Sequence, residues 1–185
     1  AGVDLSLYQG DGSRELAARK KRLQQANELA ATYYQKSLLS NVHAQEYIFK
    51  KRGLSKKVVQ DFRLGYAPDS GDALTGFLAK KGFNAQDIKD AGLTNRFGGD
   101  LFRGRMMVPL MDGTGQVIGF TGRIIIDDPS APKYLNTPQT LLYDKSRHVF
   151  GLSQAKESIR KSDYAVIVEG NLDVVSSHQA EVCQV

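Results

Sequence analysis

Glu169 closes the apolar run Tyr164-Ala165-Val166-Ile167-Val168, Gly170 follows it, and Asp173 comes four residues after Glu169. Read as strand, turn and helix, this spacing sets the two carboxylates about one helical turn apart. It also sets them at the carboxyl end of a strand, where open α/β sheets bind their ligands. Held there, the pair could share a hard divalent cation, whose ligands are oxygens. Acidic residues at strand ends are common, and the helix dipole favours Asp near a helix N-terminus without any metal. Both readings stay open on spacing alone.

The second constellation is basic. Arg103 and Arg105 are two apart, so on a strand both point to one face. Arg123 falls on the return strand of the same expected hairpin, Lys133 in a proline-rich loop, and Lys145 and Arg147 further on. Cations on a sheet, beside exposed glycines (Gly104, Gly119, Gly122) that admit a backbone closely, would suit phosphate tracking. A solvent-facing hairpin decorated with charge has the same pattern. His43, His148 and His178 have no metal-ligand spacing and read as structural or surface residues.

The elements that must position these groups fall into two textures. Up to about residue 92 the chain reads helical. Ser13 is the expected N-cap of a first helix after the turn-like Gln9-Gly10-Asp11-Gly12, with Leu16, Leu23, Ala26, Ala30 and Tyr33 at helical spacing. A second helix is expected over Ala44–Arg52, with Tyr47, Ile48 and Lys51 on one side and Gly53 as its stop. A third starts at Ser55, and a further pair spans Asp72–Lys81 and Asn84–Ala91, closed by Gly82 and Gly92. From Asp100 the period changes: Arg103–Leu110 and Gln116–Ile126 are β-rich, and Asp112-Gly113 between them signals a hairpin. Asp127–Pro138, with three prolines, reads as a loop. Val149-Phe150-Gly151 reads as a short strand, and Ser153 as the cap of a helix reaching about Lys161. Tyr164–Val168 has the continuous apolar character of a buried parallel strand, and Asn171–Gln179 that of the helix after it. The fold class is α/β: a mixed α+β subdomain with a small antiparallel sheet and several short helices, then the first strand-helix unit of an α/β sheet.

The chain has 185 residues, 41% hydrophobic and 24% charged, which suits a soluble globular domain rather than global disorder. No apolar run approaches the roughly 18–20 residues needed to span a bilayer, so no membrane association is expected. No secretory signal is visible over Ala1–Gly12. A single cysteine, Cys183, can form no internal disulfide and no cysteine-rich zinc site, so a reducing, cytoplasmic compartment is the expectation. The net charge of +5 is uneven, with +6 over residues 1–60, which favours a nucleic-acid partner without establishing one.

Six blocks in order make the chain resemble the bacterial DnaG-type DNA primases. They are Lys51-Arg52-Gly53-Leu54-Ser55; Phe62-Arg63-Leu64-Gly65-Tyr66-Ala67-Pro68; Phe102-Arg103-Gly104-Arg105-Met106-Met107-Val108-Pro109; Val117-Ile118-Gly119-Phe120-Thr121-Gly122-Arg123; Pro132-Lys133-Tyr134-Leu135-Asn136-Thr137-Pro138; and Val168-Glu169-Gly170-Asn171-Leu172-Asp173-Val174. The resemblance covers nearly the whole chain. It implies an enzyme that makes short RNA primers from ribonucleotides on single-stranded DNA template. Such an enzyme has an N-terminal zinc domain, a central RNA-polymerase domain and a C-terminal domain that meets the replicative helicase.

On this resemblance, residues 1–161 are the N-terminal subdomain of the catalytic core and residues 162–185 the truncated start of its Toprim domain. Zinc belongs to a domain absent from this chain, and Mg²⁺ or Mn²⁺ to the full enzyme. Glu169 matches the catalytic Toprim glutamate and, with Asp173, part of an incomplete metal site. Arg103, Arg105, Arg123, Lys133 and Lys145 match the ridge that handles template, primer or nucleotide phosphates. Asn171 and Leu172 depart from the family's usual aromatic and Met or Phe. The fragment itself is expected to be inactive. The rival readings are a non-catalytic module binding single-stranded DNA, and another Toprim enzyme such as a topoisomerase or nuclease.

Overall fold

A computed structural model describes residues 11–126 and 128–185. The expected turn at Gln9-Gly10 therefore lies outside the described residues, while Asp11 and Gly12 already belong to α1 (Asp11–Leu39). The helix thus begins two residues before the cap expected at Ser13. Its buried stripe is Leu23, Ala26, Asn27, Ala30, Ala31, Tyr34 and Leu38, and Leu16 is exposed. Small residues on that stripe let the helix lie close to the sheet. A Cβ at Gly65 would meet the Tyr34 backbone carbon and Cβ at 2.6 Å.

After α2 (Val42–Gln45), capped by the Asn41 side chain, the chain continues as a π-helical segment, Glu46–Lys51. Short helices α3 (Lys56–Asp61), α4 (Ala73–Lys80) and α5 (Ala85–Asp90) follow where expected, with Ser55 and Asn84 as side-chain caps. Asp87 on α5 accepts from Arg22 of α1 at 3.1 Å and also pairs with Arg19, whose other nitrogen reaches Asp90 at 2.6 Å.

The sheet is antiparallel, in the order β1 (Gly65–Ala67), β2 (Arg105–Met111), β3 (Val117–Ile124), β4 (Tyr134–Asn136). β1 pairs only with Arg105–Met107, so it stops short of Pro109, which has no N–H to offer another strand. The hairpin turn is built by Asp112, whose Oδ1 accepts from the Thr114 N–H (2.8 Å) and the Gln116 N–H (3.1 Å). Gly115 takes the left-handed φ of 87° that closes it.

Every residue of β2 is buried, because both faces of the sheet are covered. On one face Met107, Met111, Val117 and Phe120 pack with α1, α4 and α5; on the other Met106 and Val108 pack with α3 and Val174, Val175 and Val185.

Several expectations are corrected. Tyr134–Asn136 is a strand rather than loop, because its backbone finds the free edge of β3. Val149-Phe150-Gly151 forms no strand: Phe150 stacks on Phe62 (6.0 Å between centroids), and Gly151, with φ 82°, caps α6 (Leu152–Ser162) in place of Ser153. Gly119 and Gly122 are buried within β3, where added Cβ atoms would meet Thr137 and Phe102, so they open no path to a ligand.

The largest correction concerns Tyr164–Val168. Among the described residues no strand pairs with this run. Its Val166 N–H donates to the Gln184 carbonyl (2.9 Å), and Ile167 is 95% exposed. A buried parallel strand needs paired strands on its edges and cover on both faces; this run has a backbone bond to Gln184 and core contact at Val168, short of both. The helix after it, α7 (Asn171–Gln179), forms as expected and docks on the body of the molecule. Phe62 meets His178 edge-on at 5.0 Å, and the Gln179 side chain accepts from the Ser55 N–H (2.7 Å) and donates to the Gly53 carbonyl (2.9 Å). Among the described residues no helix is long and apolar enough to cross a membrane.

Candidate nucleic-acid interface

The expected cationic set does not assemble as one ridge. Arg103 precedes β2 rather than lying on it, and its guanidinium pairs with Asp69 (Nη2 at 3.1 Å) in an exposed contact. Arg105 is buried: Nη1 donates to the Gly122 carbonyl (3.2 Å) and the Lys133 carbonyl (3.4 Å). Burial lowers its pKa, though an arginine remains a cation. The expectation that Arg103 and Arg105 share a face is therefore corrected. Lys145 is exposed on a 3₁₀ turn, Lys145–Arg147. Its neighbours Asp144, Arg147 and His148 line a cavity of about 490 Å³ together with Met111, Asp112 and Gly113, at the hairpin-turn end of the sheet. Arg123 lies six residues up β3 from Val117, well away from that end of the sheet.

Arg123 and Lys133 are neighbours through the β3–β4 backbone pairing: the Ile124 N–H donates to the Lys133 carbonyl (3.0 Å). Arg123 sits opposite Tyr134 of β4, the residue after Lys133, which is exposed. The Arg123 guanidinium lies over the Tyr134 ring (5.0 Å to the centroid) while Nη1 donates to the Tyr134 hydroxyl. Nε donates to the Tyr47 hydroxyl at 2.8 Å. Burial would lower the pKa of Arg123, but the hydrogen bonds and partial charges of Tyr47 and Tyr134 outweigh it and raise the value. The outcome is a fixed cation beside a half-exposed aromatic ring at one end of the sheet, with the exposed Lys133 adjacent to that ring in the chain. Such a patch offers charge for a phosphate and a ring face for a base.

Tyr47 and Tyr134 carry this arrangement, and the spacing reading did not select them for a site. Only the alternation of β4 against β3 could have pointed to Tyr134, and that strand read as loop.

Glu169 and Asp173 are both exposed. The Asp173 Oδ2 accepts from the Gly170 N–H at 3.1 Å, capping α7. Among the described residues no group of three His, Cys, Asp or Glu gathers where it could hold a metal.

The family model for the DNA primase catalytic core, N-terminal domain, matches residues 33–156. This chain belongs to the DNA primase family. It is 34% identical to the DNA primase of Staphylococcus epidermidis over 192 residues, covering 99% of this chain and 31% of that protein. To the DNA primase of Mycobacterium tuberculosis it is 38% identical over 187 residues, covering 98% of this chain and 28% of the relative. The chain thus spans less than a third of the curated primases it matches here. The RNA polymerase domain of Mycobacterium tuberculosis primase DnaG superposes with a TM-score of 0.81 at 38% identity, over 89% of this chain and 55% of that one. A DnaG primase catalytic domain bound to ssDNA does so with a TM-score of 0.81 at 36% identity, over 91% and 53%. Mixed helices on a small antiparallel sheet are thus the primase-core fold, as the sequence led us to expect.

Proposed function

We propose that this chain is the part of a DNA primase that holds single-stranded template and ribonucleotide phosphates beside the polymerase centre, in an enzyme making short RNA primers for replication. The observation that supports it most is the Arg123–Tyr134 pair, in a chain whose fold is similar to that of a primase catalytic domain bound to ssDNA. Arg123 and Lys133 act as phosphate contacts and Tyr134 as the adjoining ring, with Arg103 and Lys145 as outlying cations. A cytoplasmic setting and a helicase partner, met through a separate domain, follow from the same reading.

Residues 162–185 begin the Toprim part on this reading, and residues 1–161 form the subdomain before it. Glu169 and Asp173 would hold Mg²⁺ or Mn²⁺ from one edge. Their oxygens are the right donor type for a hard cation that neutralises phosphate charge. Their number is not sufficient, and Asp173 is partly engaged by the Gly170 N–H. The pair therefore supplies one side of a site and no complete one.

The test is titration of the 185-residue chain with a short oligothymidylate at several salt concentrations. Binding should weaken as salt rises, with about 0.7 counterions released per phosphate contact on a single strand. Salt-independent binding, or binding untouched by Arg123→Ala combined with Lys133→Ala, would sink the assignment.

A further inference from the structure

The corner between α1 and α2 turns two large apolar side chains out to water: Leu39 is 75% exposed and Val42 71%. Fraying does not account for them, because the corner is tied down. Gln45 Nε2 donates to the Leu38 carbonyl (3.1 Å) and the Leu39 carbonyl (2.8 Å), joining α2 to the last turn of α1. The Ser40 hydroxyl donates back to the Lys36 and Ser37 carbonyls (3.3 and 3.2 Å), and Asn41 accepts from the Ala44 N–H at 2.8 Å. Apolar groups fixed in place lower the entropy that a partner must overcome on binding.

Beside Leu39 lies a groove of about 420 Å³ between α1, the π-helical segment and α3. Leu38, Leu39, Phe49, Val59 and Leu64 form its apolar side, and the exposed Lys56 lines it too. Exposed apolar patches bordered by polar residues mark interaction sites. A cavity of this size takes a few side chains, which suits a short segment laid into a groove rather than a flat domain face.

Charge selects the kind of segment. Residues 32–64 hold seven lysines and arginines but only two carboxylates, Glu46 and Asp61. Both carboxylates are already matched on their own elements, Glu46 by Lys50 at 2.9 Å and Asp61 by Lys57 at 2.5 Å. Among the described residues, Lys36 and Lys56 have no carboxylate within salt-bridge distance. Lys36 is exposed and three residues before Leu39 on α1, which makes the two neighbours on the helix surface. The groove is thus apolar inside and positive along its border.

We propose that this groove docks an acidic amphipathic helix of a partner protein, its apolar side chains in the groove and its carboxylates facing Lys36 and Lys56. Opposite charges across such a contact steer the partner in and fix its register. A nucleic acid suits the face poorly, since its phosphates would lie against Leu39 and Val42. No residue here belongs to the Arg123–Tyr134 pair, so the proposal stands or falls apart from the nucleic-acid reading.

The experiment uses the intact 185-residue chain and three labelled helical peptides of one length. The first has leucines at i, i+4 and i+7 flanked by glutamates; the second has the same leucines flanked by lysines; the third has the first peptide's composition with the leucine stripe broken. Fluorescence anisotropy reads binding, and sedimentation velocity reads the oligomeric state of the chain alone. The first peptide should bind about tenfold more tightly than either of the others. Leu39→Ser, at an exposed position, should fold as the parent does by circular dichroism and weaken that binding about tenfold. Lys56→Glu should weaken it about threefold to tenfold, and added salt should shrink the preference for the acidic peptide. Oligothymidylate binding should be the same in Leu39→Ser as in the parent. Failure of the acidic peptide to bind, equal binding of the lysine peptide, or indifference to both substitutions would overturn the proposal. A dimer of the parent that Leu39→Ser dissolves would give the face to a second copy, and displacement of the peptide by oligothymidylate would give it to DNA; either overturns it as well.

Discussion

At the scale of single residues, the two arginines facing one hairpin do opposite things. Arg105 spends its donors on backbone carbonyls inside the protein, whereas Arg123 holds its charge beside an exposed ring. Arg105→Ala should therefore cost about 2 kcal/mol or more of stability, from lost packing and the loss of its hydrogen bonds to two backbone carbonyls. It should leave the salt dependence of DNA binding unchanged in the folded fraction. Arg123→Ala should do the reverse, with a near-parental melting temperature and a salt slope smaller by about 0.7. Denaturant melts paired with binding titrations separate the two.

A second residue-scale expectation concerns Asp87, nearly buried between Arg19 and Arg22. Burial would raise its pKa, but the Arg19 hydrogen bond, the Asn84 N–H and Arg22 outweigh this and lower it. A carboxylate whose folded pKa lies below its unfolded value stabilises the fold fully above the unfolded value. That stability disappears as pH falls through the folded one. Asp87→Asn should thus be destabilising by about 2–3 kcal/mol near neutral pH, since Arg22 loses its counter-charge and Arg19 keeps only Asp90. The gap from the parent should close as both are acidified below about pH 4. A gap that persists undiminished in acid would mean the contribution is packing rather than charge.

At the scale of elements, the decisive event is a bulge. From the Asp112–Gln116 turn, strict two-strand pairing would set Arg105 opposite Arg123 on one face. The register instead shifts by one between Leu110 and Met111, so Arg105 pairs with Ile124 and Met106 with Arg123. A one-residue slip exchanges the faces of every residue beyond it, which is why one arginine is buried and the other is not. Close approach between α1 and β1 is the other element-scale constraint. Gly65→Ala sets a Cβ 2.6 Å from the Tyr34 backbone, and neither element can retreat without opening the core. Thermal melts should show a loss of about 2–4 kcal/mol; a loss under roughly 0.5 kcal/mol, the range of an inconsequential surface change, would mean that α1 is free to shift.

Across the whole molecule, order is uneven in a way the topology explains. The sheet is covered on both faces and α7 is anchored by Gln179 and the Phe62–His178 contact. Tyr164–Val168 between α6 and α7 has no strand beside it among the described residues. Its amides should exchange hydrogen far faster than those of β2 or mid-α1, with α7 in between. Ile167→Asp, at a residue 95% exposed, should change stability by less than about 0.5 kcal/mol. Protection of this run equal to that of β2 would contradict the described structure. The same unevenness bears on catalysis: with two exposed carboxylates and no third ligand gathered among the described residues, the 185-residue chain should bind single-stranded DNA yet incorporate no ribonucleotide with Mg²⁺ or Mn²⁺. Incorporation abolished by Glu169→Gln would show a more complete site than these residues describe.

Part of this molecule could be read from the chain alone, wherever local chemistry settles the outcome. Ser55 and Asn84 cap their helices because a short oxygen can reach an N–H three residues on. Asp112 and Gly115 close their hairpin for equally local reasons. The motif series likewise named the family. Tertiary packing settled whatever depends on partners distant in the chain. Tyr134–Asn136 became a strand because β3 had an edge to offer, and Tyr164–Val168 did not because among the described residues no strand lies beside it. A bulge on β3 set Arg123 on the face opposite to Arg105, and a π turn brought Tyr47 and Arg52 to Arg123. Each of these outcomes is a matter of register or of neighbours. A shift of one residue there changes the face a side chain occupies while leaving composition and spacing untouched.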